Sequence, residues 1–472
     1  MSFQSLHFLL FALMVFGLNS ALLNRADARK NMLLAASYYF YMCWDWRFAG
    51  LLFAVAAINF VAARQISNAT SRRSKNFWLT IGVASSLGIL ATFKYANFFI
   101  DTLAAILTQM GINADLPTLN VLLPIGISFF TFQGIAYTID VYRDQQEPST
   151  DFRDFALFIA FFPTVLSGPI TRGRQLLPQF SSLPPYRSEA AQEGIYLILR
   201  GLAKKIFLAD ILAAHIVNPT FTAPHNYSTT FLLVAVVAYS FQIYMDLSGY
   251  TDIARGVAKA LGFELPENFR RPYQASSVSN FWQRWHISMS SFFRDYLYFG
   301  VGGSKRGNVY RNLLITFVAI GMWHGAGWNF IVYGLLHGSA VSLERFFRNR
   351  QTTLGITALV SKPAYIVGAT IATFLFVAFS RILFRSEDLE SGLNFISSLL
   401  NNSGGLAPYT PAALAALGLS IVLHFVPTRW NDRSIDIFVR TPAFIQGAFA
   451  TGLVVCMLAF SSGSASFVYF QF

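Results

Sequence analysis

Apolar runs long enough to cross a hydrocarbon core of about 30 Å recur in this chain from one end to the other. They cover about Leu6–Leu23, Asn31–Trp46, Phe48–Ala63, Phe77–Ile100, Val121–Ile139, Thr229–Met245, Asn312–Leu343, Ala364–Phe384, Pro411–Phe425 and Ala443–Phe460. The stretch from Asn312 is read as two segments broken at Gly325–Gly327. At the usual twenty residues each, the runs predict roughly eleven or twelve crossings. Such a series excludes a soluble domain with one anchor. Composition excludes disorder: 54% of residues are apolar and only 12% charged, against about a quarter charged in soluble domains.

The first run could pass for a signal peptide, but Met1–Ser5 carries no lysine or arginine. It is read as a retained span. Basic residues follow at Arg25, Arg29 and Lys30 and again at Arg64, Arg72, Arg73 and Lys75. With an outside N-terminus, both basic loops fall in the cytoplasm. The excess of 35 Lys and Arg over 23 Asp and Glu, net +12, is spread over short loops. That distribution fixes topology and attracts anionic lipid or substrate rather than nucleic acid. The two cysteines, Cys43 and Cys456, lie inside apolar runs, and neither a disulfide framework nor a metal site can be read from them.

Between Asp151 and Tyr310 prolines and charges interrupt the apolar pattern, as at Phe162-Pro163, Ser167-Gly168-Pro169, Leu183-Pro184-Pro185 and Arg270-Arg271-Pro272. Re-entrant and amphipathic helices are expected there, covered by protein or lining a water-filled cavity. Polar residues are expensive inside a membrane, so they direct attention to function. His324, in LLITFVAIGMWHGAGWNF, lies about twelve residues, or ~18 Å of helix, from the charge at Arg311. Gly321 and Gly325 bracket it with the spacing that lets a second backbone approach.

His286 lies in NFWQRWHISMS. Read as one helix, this segment places Trp285, Met289, Phe292 and Tyr296 on an apolar face and His286, Ser290 and Arg294 in a row beside it. Asp246 and Asp252 are read first as helix caps or ion-pair partners, and His337 as a packing residue. Lys204 and Lys205 read as anchors that could also meet an anionic cofactor. A phosphate loop, a G-x-S-x-G elbow and an H-E-x-x-H pair are all missing from the sequence.

YMDLSGYTDIA (244–254), ENFRRPY (267–273), NFWQRWHISMSSFFRDYLY (280–298) and GMWHGAGWNFIVYGLLHG (321–338) together resemble the membrane-bound O-acyltransferase family. They are most similar to its bacterial polysaccharide O-acetylation branch. LPIGISFFTFQGIAYTIDVYR (123–143), FFPTVLSGPITR (161–172), GLAKKIFLAD (201–210) and FVYFQF (467–472) are similar to that branch too.

The resemblance implies an all-α, polytopic helical bundle around a transmembrane tunnel, one integral membrane domain over 1–472. Within it, 1–120 would hold N-terminal spans, 121–345 the catalytic core and 346–472 C-terminal spans. By motif the family's catalytic histidine falls on His324 and its second polar position on His286. Around them Trp282, Trp285, Ser290, Arg294, Asp246, Trp323 and Asn329 are candidates for donor or substrate binding, with Trp328 a further candidate for the tunnel wall. No metal is implied. The branch implies a bacterial inner-membrane enzyme using cytoplasmic acetyl-CoA, a periplasmic SGNH-type partner and a polysaccharide acceptor such as alginate, a cellulose-like polymer or peptidoglycan. Basic residues such as Arg200, Lys204, Lys205, Lys305 and Arg306 would meet the donor's phosphates. His324 would serve as general base or as a transient acyl carrier. A D-alanyl-transfer subunit of the same family and a transporter or polymer-export subunit are the alternative readings.

Overall fold

The computed structural model describes residues 1, 3–112, 116–119, 122–351, 353, 360–401, 405 and 409–460; the C-terminal motif at 467–472 lies outside them. Among the described residues there is no β-strand, as an all-helical membrane bundle requires. By length and composition, four helical segments are fit to span a membrane: Trp46–Asn68, Arg72–Gln109, Thr229–Ala260 and Pro363–Arg385. A fifth arises if Pro411–Phe425 and Thr428–Arg440, which bend by 97° at their junction, form one span. The expected eleven or twelve crossings are therefore not all present as single long helices. Several of the expected spans are helices of only 16 or 17 residues, among them α1 (Leu6–Ala21) and α2 (Ala26–Met42).

The chain divides into two compact units, Met1–Gly194 with Ala254–Pro266, and Ile195–Ile253 with Glu267–Phe472. In the first unit, α3 (Ala49–Asn68), α4 (Arg72–Leu90) and α6 (Ile127–Tyr142) pack on one another, with α5 (Ala96–Gln109) following α4 through a π-helical turn at Ala91–Tyr95. A buried polar pin joins the three: Asn59 Nδ2 donates to Ser86 Oγ at 3.0 Å, and Thr138 Oγ1 donates to Asn59 Oδ1 at 2.8 Å. α7 (Phe152–Ala160) packs on α2 and α3. Lys30 meets Asp154 there at 2.5 Å. Arg29 is buried, and its guanidinium donates to Asn19 Oδ1, the Pro184 carbonyl and the Leu261 carbonyl, each at 2.8 Å. The proline-rich middle yields the short pieces its sequence predicts, such as α8 (Gly173–Ser181), which carries Pro178.

The second unit takes in most of α9 (Ser188–Ala203), π-helical segments at Lys204–Asp210 and Ala213–Val217, and α10 (Asn218–Thr222). It also contains the larger part of α11 (Thr229–Ala260). α11 runs well past Met245, where the apolar run ends, because its aspartates are paired. Asp246 meets Lys205 at 2.6 Å, and Asp252 meets Arg200 and Lys204 at 2.7 Å each. Between these pairs the helices touch backbone to backbone: a Cβ on Gly201 would stand 2.5 Å from the Gly249 carbonyl.

Then come α12 (Val278–Arg284), α13 (Ile287–Phe292), α14 (Val309–His324), α15 (Trp328–Arg350) and α16 (Pro363–Arg385). They are followed by α17 (Leu389–Asn401), α18 (Pro411–Phe425), α19 (Thr428–Arg440) and α20 (Ala443–Phe460). Leu232, Val236, Ala378, Ile382, Phe395 and Leu399 form a buried apolar cluster joining α11, α16 and α17.

Candidate functional site

His324 is the last residue of α14, which stops where the glycines Gly325 and Gly327 were expected to break the helix. α14 and α15 then pack as a close hairpin. A Cβ on Gly321 would collide with the Phe330 carbonyl, and one on Gly334 with the Phe317 carbonyl. Glycine is the residue that permits this approach. The hairpin buries His324 and Trp323. The His324 ring lies 4.8 Å from the Phe384 ring and 6.3 Å from that of Tyr333, centre to centre.

His286 arrives by a different route. The single helix expected over Asn280–Tyr298 is not formed. α12 ends at Arg284, Trp285 is extended, and His286 takes a left-handed conformation, φ 45° and ψ 56°, before α13 and a π-helical stretch at Phe293–Tyr298. For a residue with a Cβ this backbone region is strained, and strain of this kind clusters at functional sites. The surrounding chain holds the elbow. Arg270 N donates to the Arg284 carbonyl and Ile287 N to the Asn268 carbonyl. Ser288 N and Oγ both donate to Asn268 Oδ1, at 3.0 and 2.9 Å. Ser290 Oγ closes it from the other side by donating to the Trp285 carbonyl at 3.0 Å.

The two histidines converge on Trp323. Its indole lies 5.5 Å from the His286 ring and 4.8 Å from the His324 ring. Both imidazoles are buried. Trp282 and Trp285 are buried as well. Trp282 Nε1 donates to His337 Nδ1 at 3.2 Å, and His337 Nε2 meets Ser380 Oγ at 2.9 Å, whose hydroxyl donates to the Val377 carbonyl. His337 thus ties α12, α15 and α16 together.

The other candidates are placed apart from this pair. Arg294 is exposed and bonds Asp295, so the expected row through His286, Ser290 and Arg294 does not exist. Trp328 is about half exposed at the start of α15. Asn329 is buried, and its Nδ2 donates to the carbonyls of Leu383 and Ser386, capping the end of α16. Asp246 sits in the ion pair with Lys205, which also meets Asp210 at 2.8 Å. Those pairs, with Arg200 and Lys204 on Asp252, already compensate the basic residues expected at donor phosphates. Lys305 and Arg306 remain exposed.

Three residues were missed. Asn268 organises the elbow from within ENFRRPY. His424, at the end of α18, accepts from Tyr273 N at 3.2 Å. Arg381, in the last turns of α16, is buried with its guanidinium carbon 4.3 Å from the centre of the Trp285 ring system. The signal was available for the last two: an ionisable side chain inside an apolar run is by default a functional candidate.

A family model for the membrane-bound O-acyltransferase family matches residues 125–382, which hold both histidines. The chain is 38% identical over 405 residues to the probable alginate O-acetylase AlgI of Azotobacter vinelandii, covering 85% of this chain and 79% of that one. It is 33% identical over 470 residues to the peptidoglycan O-acetyltransferase of Helicobacter pylori, covering 93% and 84%. With the teichoic acid D-alanyltransferase of Bacillus subtilis it shares 28% over 282 residues, 57% of this chain and 71% of that one.

Proposed function

Because the chain belongs to the membrane-bound O-acyltransferase family, we propose that it is a membrane O-acetyltransferase that takes acetyl from acetyl-CoA on the cytoplasmic side. The acetyl group is destined for an extracytoplasmic polysaccharide: alginate, a cellulose-like polymer or peptidoglycan. The protein works in the bacterial inner membrane with a periplasmic SGNH-type partner. Identity to relatives named for O-acetylation, 38% and 33%, exceeds the 28% to the D-alanyltransferase and favours acetyl over D-alanyl.

The observation that carries the chemistry is the convergence of two buried imidazoles on the Trp323 indole, one from the end of a helix and one from a strained elbow. Acyl transfer from a thioester needs a base for the attacking hydroxyl and a site that keeps out water. His324 is the base: it takes the hydroxyl proton as oxygen attacks the carbonyl carbon, and returns it to the departing thiolate. His286 orients donor or acceptor, its side chain aimed by the elbow. Trp282, Trp285 and Trp323 supply the apolar wall of a tunnel whose waist is at His324. The test is reconstitution of the purified protein in vesicles with labelled acetyl-CoA, following label into the periplasmic partner or the polymer. Label that stays on CoA in wild type, under conditions where the protein is folded, overturns the reading.

A further inference from the structure

We infer that Arg381 is a catalytic residue of this site, holding the anionic oxygen that forms when the acetyl thioester is attacked; the inference rests on the acyltransfer reading above. Arg381 and Arg29 are both almost wholly buried, and the contrast between them carries the argument. Arg29 spends its three nitrogens on three oxygens, which makes it a structural hub. Arg381 directs Nη1 to the Tyr273 hydroxyl and, at 3.4 Å, to the Ser240 carbonyl. Its buried Nη2 has no hydrogen bond, and among the described residues no carboxylate pairs with it.

What surrounds the charge is aromatic: Trp285 at 4.3 Å, Tyr273 at 5.3 Å and Phe281 at 5.7 Å from the guanidinium carbon. Rings stabilise a cation without neutralising it, and a buried charge lacking a counter-ion is a standing expense for the fold. Its position gives the charge a use. Trp285 precedes His286 in the elbow, and Phe384, one turn beyond Arg381 on α16, packs against the His324 ring at 4.8 Å. A fixed cation with donors to spare is therefore built between the supports of both histidines.

In the reaction, the acceptor oxygen bonds to the thioester carbonyl carbon as its proton passes to His324. The carbonyl π electrons move onto oxygen, where Arg381 meets the negative charge. Collapse of that oxyanion re-forms the carbonyl and breaks the C–S bond, and the sulfur leaves with the proton from His324. A preorganised donor aimed at a developing oxyanion contributes about 10²- to 10³-fold in turnover.

Arg381→Met and Arg381→Lys test this beside wild type, with kcat and KM for acetyl-CoA and the acceptor, and with melting temperature. Arg381→Met is expected to melt no lower than wild type, since replacing an unpaired buried charge by an apolar chain is neutral or stabilising. Its kcat should fall by about 10²- to 10³-fold with KM changing less than about threefold. Arg381→Lys, which keeps the charge and loses the fork, should recover part of the loss. A Met variant within threefold of wild-type kcat overturns the inference. So does a rise in KM with kcat kept, which would make Arg381 a ground-state anion site. Marked loss of melting temperature in both variants also overturns it, making the guanidinium and its bonds to Tyr273 and Ser240 structural. If wild type itself transfers no acetyl, the function falls separately, and the melting comparison still decides whether the charge serves the fold.

Discussion

The imidazole of His286 meets the indole of Trp323 edge to face, 5.5 Å between ring centres, although the two residues come from different elements. Trp323 carries His324 next to it on α14. His324→Ala is therefore expected to lower acetyl transfer by about 10³-fold or more while melting stays within a few degrees of wild type. His286→Ala should lower kcat less and also weaken the donor's KM. Steady-state transfer with melting curves distinguishes these outcomes, and a His324 variant that fails to fold makes that histidine structural.

The elbow gives a second expectation. Asn268→Ala removes the acceptor for both Ser288 N and Ser288 Oγ, at 3.0 and 2.9 Å. Leaving buried donors without an acceptor costs about 1–3 kcal/mol. Because the same loss unpins His286, transfer should fall as well. In a double-mutant cycle with His286→Ala the two activity losses should not add; full additivity would detach Asn268 from the site.

Lys205 meets two aspartates, Asp246 at 2.6 Å and Asp210 at 2.8 Å. Removing the lysine takes a facing cation from two acids at once, whereas removing Asp246 leaves Lys205 facing Asp210. Lys205→Met should cost about 3–5 kcal/mol of stability and Asp246→Leu clearly less. Combining the two should restore part of the loss. Melting of the three variants reads the order, and a milder Lys205→Met would reverse the account of this pair.

Backbone contact between α14 and α15 makes Gly321 intolerant of a side chain. Gly321→Ala should destabilise by about 1–3 kcal/mol through overpacking. Gly17→Ala, where an added Cβ meets nothing within 4 Å, should be neutral or slightly stabilising. Equal melting temperatures for the two would mean that the hairpin can open to admit the methyl group.

Topology has its own check. If α1 enters from the periplasm, reporters fused after Gln4 and after Ser74 should report opposite sides of the membrane, because Arg72, Arg73 and Lys75 follow the third apolar run. The same side for both would mean an even number of crossings between them and would overturn the topology of the first three spans.

The α14–α15 break was legible because glycine announces it, and the helical class was legible because apolar runs recur with few charges between them. The α12–α13 elbow was not. Nothing in Arg284-Trp285-His286 marks a break, since the bonds that bend it come from Asn268 and Arg270 in another segment. The ion pairs of Asp246 and Asp252 were open as a possibility, but their partners could not be assigned from spacing. For the same reason Lys204 and Lys205 looked available to a ligand's phosphates when the fold had already engaged them with aspartates.

The left-handed backbone at His286 acts as a sieve on the genetic code. Valine, isoleucine and threonine are turned away there by their branched Cβ before their chemistry is ever consulted, whereas asparagine, aspartate and glycine pass. A saturation library at this position would thus be filtered twice, first by geometry and then by catalysis. Its survivors would be small or planar polar side chains, a repertoire narrowed by the bend of the main chain and not by the substrate alone.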